Sequence, residues 1–489
     1  MFRVDHPPSR TGIVSLDLSS PQNKPYIGNE PYIGNEPRPV RLFPLYLTPF
    51  ESYMLWDDRA DLPMTFVVRM DFSGDLDRVS IEKALPLALQ RHPLLQAVVR
   101  PAKGKRDCWV AAPNPTVMIC WNAADEPLQL PQGERIDLRS HVGLRIWIQT
   151  TPGRTIITTQ FHHACCDGIG AYQFLGDWLW LYARETGAPI DSPLPAVDFA
   201  QLRRRTKASY DIENYRNENN QIHFDYREAG RFALRNTTPL AAVRGKVTRD
   251  TTEDRFPALC EAEFDKATYK RLRHVGEARG QSTNELLVQQ LFVTMKGWNE
   301  SQGDHRDGQF CVMMPMDLRE IDNRMNTALN LVTYALIRRH GNACDDEEKL
   351  ADSLRQEMLE LKHTRHRTAF MNIIAYFDRY PFWLKRLVAG RKRLATAILS
   401  NTGDPTKRFS VSFPSEGGLL KAGNLVLQDI VGVPPMRRGT HLTLSIFTYR
   451  RVLKICLRCD PNRFTRAQSQ AFLDRYVASI NALLTPAIA

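Results

Sequence analysis

The chain has 489 residues, of which 43% are hydrophobic, 9% aromatic and 24% charged. This ordinary globular composition excludes a disordered, collagen-like or coiled-coil protein, and the length suggests two or three domains or one two-lobed unit. Lys and Arg number 65 against 54 Asp and Glu, a net charge of +11, which favours anionic partners without choosing among phosphate-bearing ligands, acidic proteins and lipid headgroups.

The first forty residues are rich in Pro, Asn and Ser and hold a tandem hexapeptide, PYIGNE at 25–30 and again at 31–36. Two copies of six residues cannot build a solenoid, so residues 1–40 are expected to be a flexible leader. Order is expected from Arg41. Thr48-Pro49-Phe50-Glu51 opens a short helix, and Thr65 to Phe72 has the β-branched and aromatic character of a strand. Ile81, Ala84, Leu85, Ala88 and Leu89 recur at helical spacing up to Pro93, and Leu94 to Arg100 reads as a second strand. Leu144–Ile148 and Thr155–Phe161 flank Thr151-Pro152-Gly153-Arg154, a hairpin signal. After Gly168 the period turns helical through Leu175, Trp178, Leu179 and Tyr182.

Residues 186–240 are polar and rich in Asn and Arg, which predicts a linker at 191–245 between a lobe at 41–190 and another at 246–489. In the second half, Ser282-Thr283-Asn284-Glu285 matches a capping box and opens a helix through Met295. Strands are predicted at Phe310–Met314, Asn330–Ile337, Gly423–Ile430, His441–Tyr449 and Val452–Leu457. Helices are predicted near Glu347–Leu361 and from Thr465 to Leu484. The fold class is therefore mixed α/β, in two halves. The basic runs Arg203 to Arg205 and Lys362 to Arg367 read as solvated faces. Tyr376 to Arg393 mixes aromatic and basic residues, and peripheral lipid association through it is a less favoured alternative to ordinary packing.

No run of about 18 apolar residues occurs, and Met1 to Arg10 lacks the apolar stretch of a secretory signal, so a cytoplasmic location is expected. No zinc finger, RNA-recognition signature or basic zipper is present, so nucleic acid is not an expected partner. The nine Cys are expected to be reduced and buried. Cys456 and Cys459 form a lone CxxC with no second pair to complete a zinc site.

One motif dominates: Phe161-His162-His163-Ala164-Cys165-Cys166-Asp167-Gly168-Ile169-Gly170. Chance would produce an HHxxxDG match in such a chain on the order of once in a thousand. A strand delivers the two His and sends them to opposite faces, so one can line a cavity while the other braces. A near-neutral imidazole suits a general base that deprotonates a hydroxyl, amine or thiol. Asp167 can hold the loop by pairing with an Arg or by fixing a His tautomer. Gly168 allows a tight turn and leaves room for substrate. As metal ligands, adjacent side chains that point apart reach one ion poorly, and no third ligand stands nearby, so no metal is expected. Buried structural histidines are the plainer alternative. Cys165 and Cys166 read as small buried side chains rather than nucleophiles.

HHACCDG resembles the HHxxxDG motif of the chloramphenicol acetyltransferase-like acyltransferases. These include nonribosomal peptide condensation domains, wax ester synthase/diacylglycerol acyltransferases and alcohol acetyltransferases. The resemblance extends over most of the chain from Leu45. Arg91-His92-Pro93-Leu94-Leu95 resembles the family's RHxxLR segment, and Pro315 to Arg319 followed by Asn330 its P-x-x-LR … N stretch. Ser400-Asn401-Thr402-Gly403-Asp404-Pro405 is similar to the SN-x-x-G-P loop of the wax synthase branch, although it reads Gly-Asp where that branch has Pro-Gly. No DFGWG sequence occurs, which disfavours the plant-type branch.

The resemblance implies two similar chloramphenicol acetyltransferase-like α/β lobes forming a central tunnel, with the motif at their junction. It implies His163 as general base beside His162, Asp167 as a structural carboxylate paired with an Arg, and Gly168 in the same loop. Ser400 and Asn401 are expected to contact substrate, and Arg319 to brace the second lobe. The implied activity is acyl transfer from a thioester, acyl-CoA or an acyl or peptidyl carrier protein, to a small alcohol or amine. The thioester is a co-substrate, and no further cofactor is expected. Two alternatives remain open: a free-standing condensation-like domain joining carrier-bound substrates, and a non-catalytic homologue that binds a carrier protein or acyl ligand.

Overall fold

The computed structural model describes residues 12–17, 42–102, 106–199, 202–205, 237–242, 256–319, 327–361 and 369–485, apart from positions 124, 131 and 191 and several between 379 and 392. The hexapeptide repeat, most of the linker and the basic run at 362–367 lie outside the described residues. Part of the leader is ordered, because β1 (Gly12–Asp17) pairs antiparallel with β6 (Thr116–Ala123).

Between them come β2 (Leu45–Tyr46), α1 (Pro49–Asp57), β3 (Thr65–Ser73), α2 (Arg78–Arg91), β4 (Ala97–Arg100) and β5 (Cys108–Ala111). The hairpin β7 (Leu144–Thr151) and β8 (Arg154–His162) then leads into α3 (Gly168–Glu185). Gly153 sits at the hairpin tip with φ +75°, which a glycine adopts without penalty. Asp77 caps α2 by accepting from the backbone N–H groups of Val79 and Ser80. The apolar stripe Ile81, Ala84, Leu85, Ala88 and Leu89 is fully covered by α3 and the sheet. The strand predicted at Leu94–Arg100 starts only at Ala97, since Pro93–Gln96 forms a 3-10 turn.

The second half contains β9 (Cys260–Phe264), α4 (Lys266–Ala278), α5 (Thr283–Ser301), β10 (Gln309–Asp317), β11 (Val332–His340), α6 (Glu347–Glu360) and α7 (Ala369–Asp378). It continues through β12 (Ala397–Gly403), β13 (Ser415–Glu416), β14 (Leu419–Ala422), β15 (Leu425–Val433), β16 (Leu442–Tyr449), β17 (Val452–Cys459) and α8 (Arg466–Ala482). The predicted capping box opens α5: Ser282 Oγ accepts from Glu285 N at 3.2 Å and Glu285 Oε2 from Ser282 N at 2.6 Å.

Among the described residues three sheets result, with strand orders β1-β6-β7-β8-β3-β15-β14-β13, β11-β10-β12-β16-β17-β9 and β2-β5-β4. The first two do not follow chain order. Strands β13, β14 and β15 belong to the second half of the sequence but extend the sheet of the first. Among the described residues two large hydrophobic cores form, one under α2 and α3 and one under α5 and α8.

The strand that crosses over is fitted closely. A Cβ at Gly432 would lie 2.3 Å from the Val67 carbonyl oxygen of β3. Ion pairs reinforce the junction: Arg458 forks onto Glu134 at 2.7 and 2.9 Å, and Arg69 meets Glu261 at 2.7 Å.

Arg205 departs from the solvated-face reading. Its guanidinium is buried and meets Glu51 through Nε at 2.8 Å and Nη2 at 2.8 Å, while Arg203 and Arg204 are exposed. Glu51 also closes the capping box with Thr48 at 2.9 and 3.1 Å and accepts from Trp109 Nε1 at 2.9 Å. In the aromatic and basic stretch 376–393, α7 covers only the start, and Tyr380 and Phe382 are exposed. No helix among the described residues is long and apolar enough to cross a membrane.

Gly432→Ala forces a methyl group against backbone rather than a movable side chain. It is expected to cost about 1–3 kcal/mol, read as a lower midpoint in urea unfolding. An unchanged midpoint would show that β15 has room to shift.

Candidate active site at the lobe junction

The register of β8 against β3 places His162 opposite Thr65, and the His163 N–H continues the ladder by donating to Met64 O at 2.8 Å. The next three residues turn into α3, whose first N–H groups are left without helical partners. Asp167 supplies one: its Oδ1 accepts from Gly170 N at 2.8 Å. The tight approach in this turn is at Gly170, where a Cβ would fall 2.9 Å from the Leu329 backbone; at Gly168 it would meet only Tyr172 at 4.0 Å.

As the strand alternation predicts, the two His part company. His162 is fully buried. Its Nδ1 accepts from Ala164 N at 3.1 Å, which leaves the ring proton on Nε2, 3.7 Å from Asp58 Oδ2. His163 turns the other way and lines a cavity of about 250 Å³ between the lobes. Phe66 and Phe50 pack edge-on against its ring at 5.3 and 6.2 Å. Nδ1 is buried without a well-aligned partner, so Nε2 is the nitrogen open to the cavity. Burial lowers the His163 pKa from the ordinary imidazole value, against smaller opposing effects of its own carbonyl and of Asp167. The ring is therefore neutral, and a base, at neutral pH.

Asp167 and Arg319 come together across 152 residues of sequence. Arg319 Nη1 and Nη2 each donate to one carboxylate oxygen at 2.9 Å, and Leu331 N donates to Oδ2 at 2.8 Å. Burial alone would raise the Asp167 pKa, but the Arg319 guanidinium and these N–H groups outweigh it and hold it low. The anion is thus fixed in place and faces no empty ligand position.

Asn330 completes the clip, donating from Nδ2 to the carbonyls of His163 at 2.8 Å and Ala164 at 3.0 Å. Behind it, His92 Nδ1 accepts from Ala328 N at 2.8 Å while Nε2 faces Asp177 at 3.2 Å. Arg91 reaches the same Asp177 at 2.6 Å.

Ser400 and Asn401 line the same cavity as His163, Asp167, Gly168 and Arg319, so every sequence-predicted site residue except His162 reaches it. Asn401 is already engaged, donating to Asn284 at 3.2 Å and accepting from Gly403 N at 3.0 Å. Sequence reasoning missed Ser445, which pairs with Ser400 in the β12–β16 register and faces the cavity beside it. It also missed Tyr334, Arg408 and the apolar wall of Phe66, Val67 and Val433. Strand alternation from Ser400 and His163 points to these side chains only once the pairing is known. Cys165 and Cys166 are fully buried, and burial pushes both thiols far up, so neither supplies a thiolate. Among the described residues no cluster of three His, Cys, Asp or Glu could hold a metal.

Asp167→Asn removes the bidentate partner of the buried Arg319 guanidinium and leaves it the single ion pair with Asp317 at 3.2 Å, an expected loss of about 1–3 kcal/mol. Adding Arg319→Met should recover part of it. Chemical denaturation of the three forms checks this, and equal stabilities would remove the pair from its structural role.

No family model matches the chain, and no curated protein sequence matches it. Solved structures do. The first condensation domain of the calcium-dependent antibiotic synthetase is similar at a TM-score of 0.64 and 14% identity, over 91% of this chain and 98% of that one. The starter condensation domain of rhizomide synthetase, in complex with C8-CoA and Leu-SNAC, gives 0.60 and 13% over 90% and 94%. The SgcC5 protein from Streptomyces globisporus gives 0.58 and 15% over 90% and 98%. The chain therefore has the fold of the condensation domains, the pseudo-dimeric chloramphenicol acetyltransferase-like architecture that the HHACCDG resemblance implied.

Proposed function

We propose that this chain is an acyltransferase of the condensation type, moving an acyl group from a thioester to an amine or hydroxyl. The observation that carries the reading is the placement of His163: a buried, neutral imidazole with Nε2 open to a cavity between two lobes, held by Asn330 and the Asp167–Arg319 pair. A base in that position can take the proton of an N–H or O–H as its heteroatom attacks the thioester carbonyl.

In this mechanism the acceptor forms the new C–N or C–O bond while His163 Nε2 gains its proton. The C–S bond then breaks, and the imidazolium returns the proton to the departing thiolate. No acyl-enzyme forms. The hydroxyls of Ser400 and Ser445 supply polar contacts to the reacting groups, and the apolar wall of Phe66, Val67 and Val433 takes the acyl part. Arg319 contributes by fixing Asp167 rather than by touching substrate. The thioester donor is acyl-CoA or a carrier-bound acyl group; that a structural relative is in complex with C8-CoA and Leu-SNAC supports such a co-substrate.

Thiol release from acyl-CoAs of graded chain length, with mixed amines and alcohols, tests the reading on wild type and His163→Ala side by side. Acceptor-dependent release that falls about 10²–10⁴-fold in the variant is expected. Retained turnover in a folded His163→Ala would sink the assignment. Silence of wild type with all CoA donors would shift the donor to a carrier protein.

The pH dependence has a defined sign. Lowering the pH protonates the base, and burial places the His163 pKa below the ordinary value of about 6.5. The acid limb of kcat/KM should therefore have its midpoint below about 6.5, with activity flat through neutrality. A midpoint at or above that value would assign the limb to another group.

A further inference from the structure

Ordinary packing accounts for the first part of the aromatic and basic stretch but not for its middle. On α7, Phe370, Met371, Ile373 and Ile374 are buried, and Phe370 meets Tyr334, a wall of the cavity, edge-on at 5.1 Å. The chain returns to the protein at Val388, which is buried and whose carbonyl accepts from Arg59 Nη2 at 3.4 Å. Between these two anchors it stands out. Tyr380 is 54% exposed and Phe382 68%, the most exposed large apolar side chain among the described residues. Lys385 and Arg386 are exposed as well.

The exposed rings and charges share a side. Phe382, Lys385, Arg386 and Val388 all have helical backbone. At 3.6 residues per turn, positions 382, 385 and 386 lie on one face, and 388 falls about a third of a turn away. Anchoring Val388 therefore turns an aromatic ring and two cations outward together. From Arg379 to Arg393 the sequence holds six Lys and Arg and no Asp or Glu. Lys385 Nζ sits over the Trp56 ring at 5.2 Å, and among the described residues neither it nor Arg386 has an ion-pair partner. A solvated face carries charges of both signs and few large apolar groups; this one carries a single sign and two exposed rings. An acidic peptide matches the cations alone. The interface of an anionic bilayer matches both, because rings settle at headgroup depth while Lys and Arg meet the anionic headgroups.

We propose that Tyr380, Phe382, Lys385 and Arg386 form a docking surface for an anionic lipid membrane, on which the protein lies without crossing it. The two rings enter the interface and the two cations hold the headgroups. The surface follows directly after the helix that backs Tyr334, so docking sets that side of the cavity toward the lipid. The proposal is independent of the acyl-transfer chemistry.

Co-sedimentation of the full chain with vesicles tests it. Wild type should pellet with vesicles of equal parts phosphatidylserine and phosphatidylcholine, and not with phosphatidylcholine alone. Tyr380→Ser with Phe382→Ser, and separately Lys385→Gln with Arg386→Gln, should each weaken partitioning about tenfold or more. All four side chains are exposed, so far-UV circular dichroism should be unchanged. Arg450→Gln with Arg451→Gln removes the same charge from the exposed β16–β17 turn and should weaken partitioning less than about threefold. An equal loss in that control assigns binding to the overall charge of +11 and overturns the proposal. So does partitioning that survives either patch variant, and so does failure of wild type to pellet with the mixed vesicles. Polyglutamate that displaces the vesicles and binds equally well to the Tyr380→Ser, Phe382→Ser variant would make the face an acidic-peptide site and overturn the lipid assignment.

Discussion

A buried ion pair stands at the centre of the junction between the two lobes. Asp167 and Arg319 meet through two N–H···O bonds of 2.9 Å in a place where either charge alone would be costly. The carboxylate also takes the N–H of Gly170 at the start of α3 and that of Leu331 from the other half of the chain. One side chain therefore caps a helix of the first lobe and docks the backbone of the second. The geometry of His163 follows from that docking. Its carbonyl is held by Asn330, one residue from Leu331, so the segment that satisfies Asp167 also fixes the residue that faces the cavity.

The same segment is held from behind by His92, which takes the N–H of Ala328 and is itself set by Asp177 and Arg91. Asp177 Oδ2 takes both the Arg91 and the His92 contact, while Asp177 Oδ1 and Asn330 Oδ1 stay buried without a partner. The buried Nδ1 of His163 and its open Nε2 differ sharply. The ring has one nitrogen sealed in protein and one presented to the space where chemistry would occur.

The cavity wall divides the work by residue type. Phe66, Val67 and Val433 come from the sheet of the first lobe, including the strand that crosses from the second half of the chain. Ser400, Asn401 and Ser445 come from the middles of the neighbouring strands β12 and β16 in the second lobe. An apolar face and a polar face thus meet His163 because two separate sheets line the same cavity.

Much of this was written locally. The HHACCDG run, the strand before it and the helix after it specify which His faces outward, because alternation and a cap depend on near neighbours in sequence. The capping box at Ser282 and Glu285, the stripe of α2 and the Pro152-Gly153 turn were legible for the same reason. Local reading erred where a residue's partner is remote. Arg205 looked like one of three solvated arginines, yet Glu51, 154 positions away, draws it into the core. Gly12–Asp17 looked like leader, yet β6 offers it a sheet edge. Ser445, Tyr334 and Arg408 carried no signal, since nothing in their neighbours distinguishes a cavity wall from a core face. The sequence by itself determined the elements, the motif and the character of its chemistry. Only the tertiary structure decided which strands from the two halves share a sheet, and hence which side chains surround His163, because that choice rests on pairing between residues hundreds of positions apart.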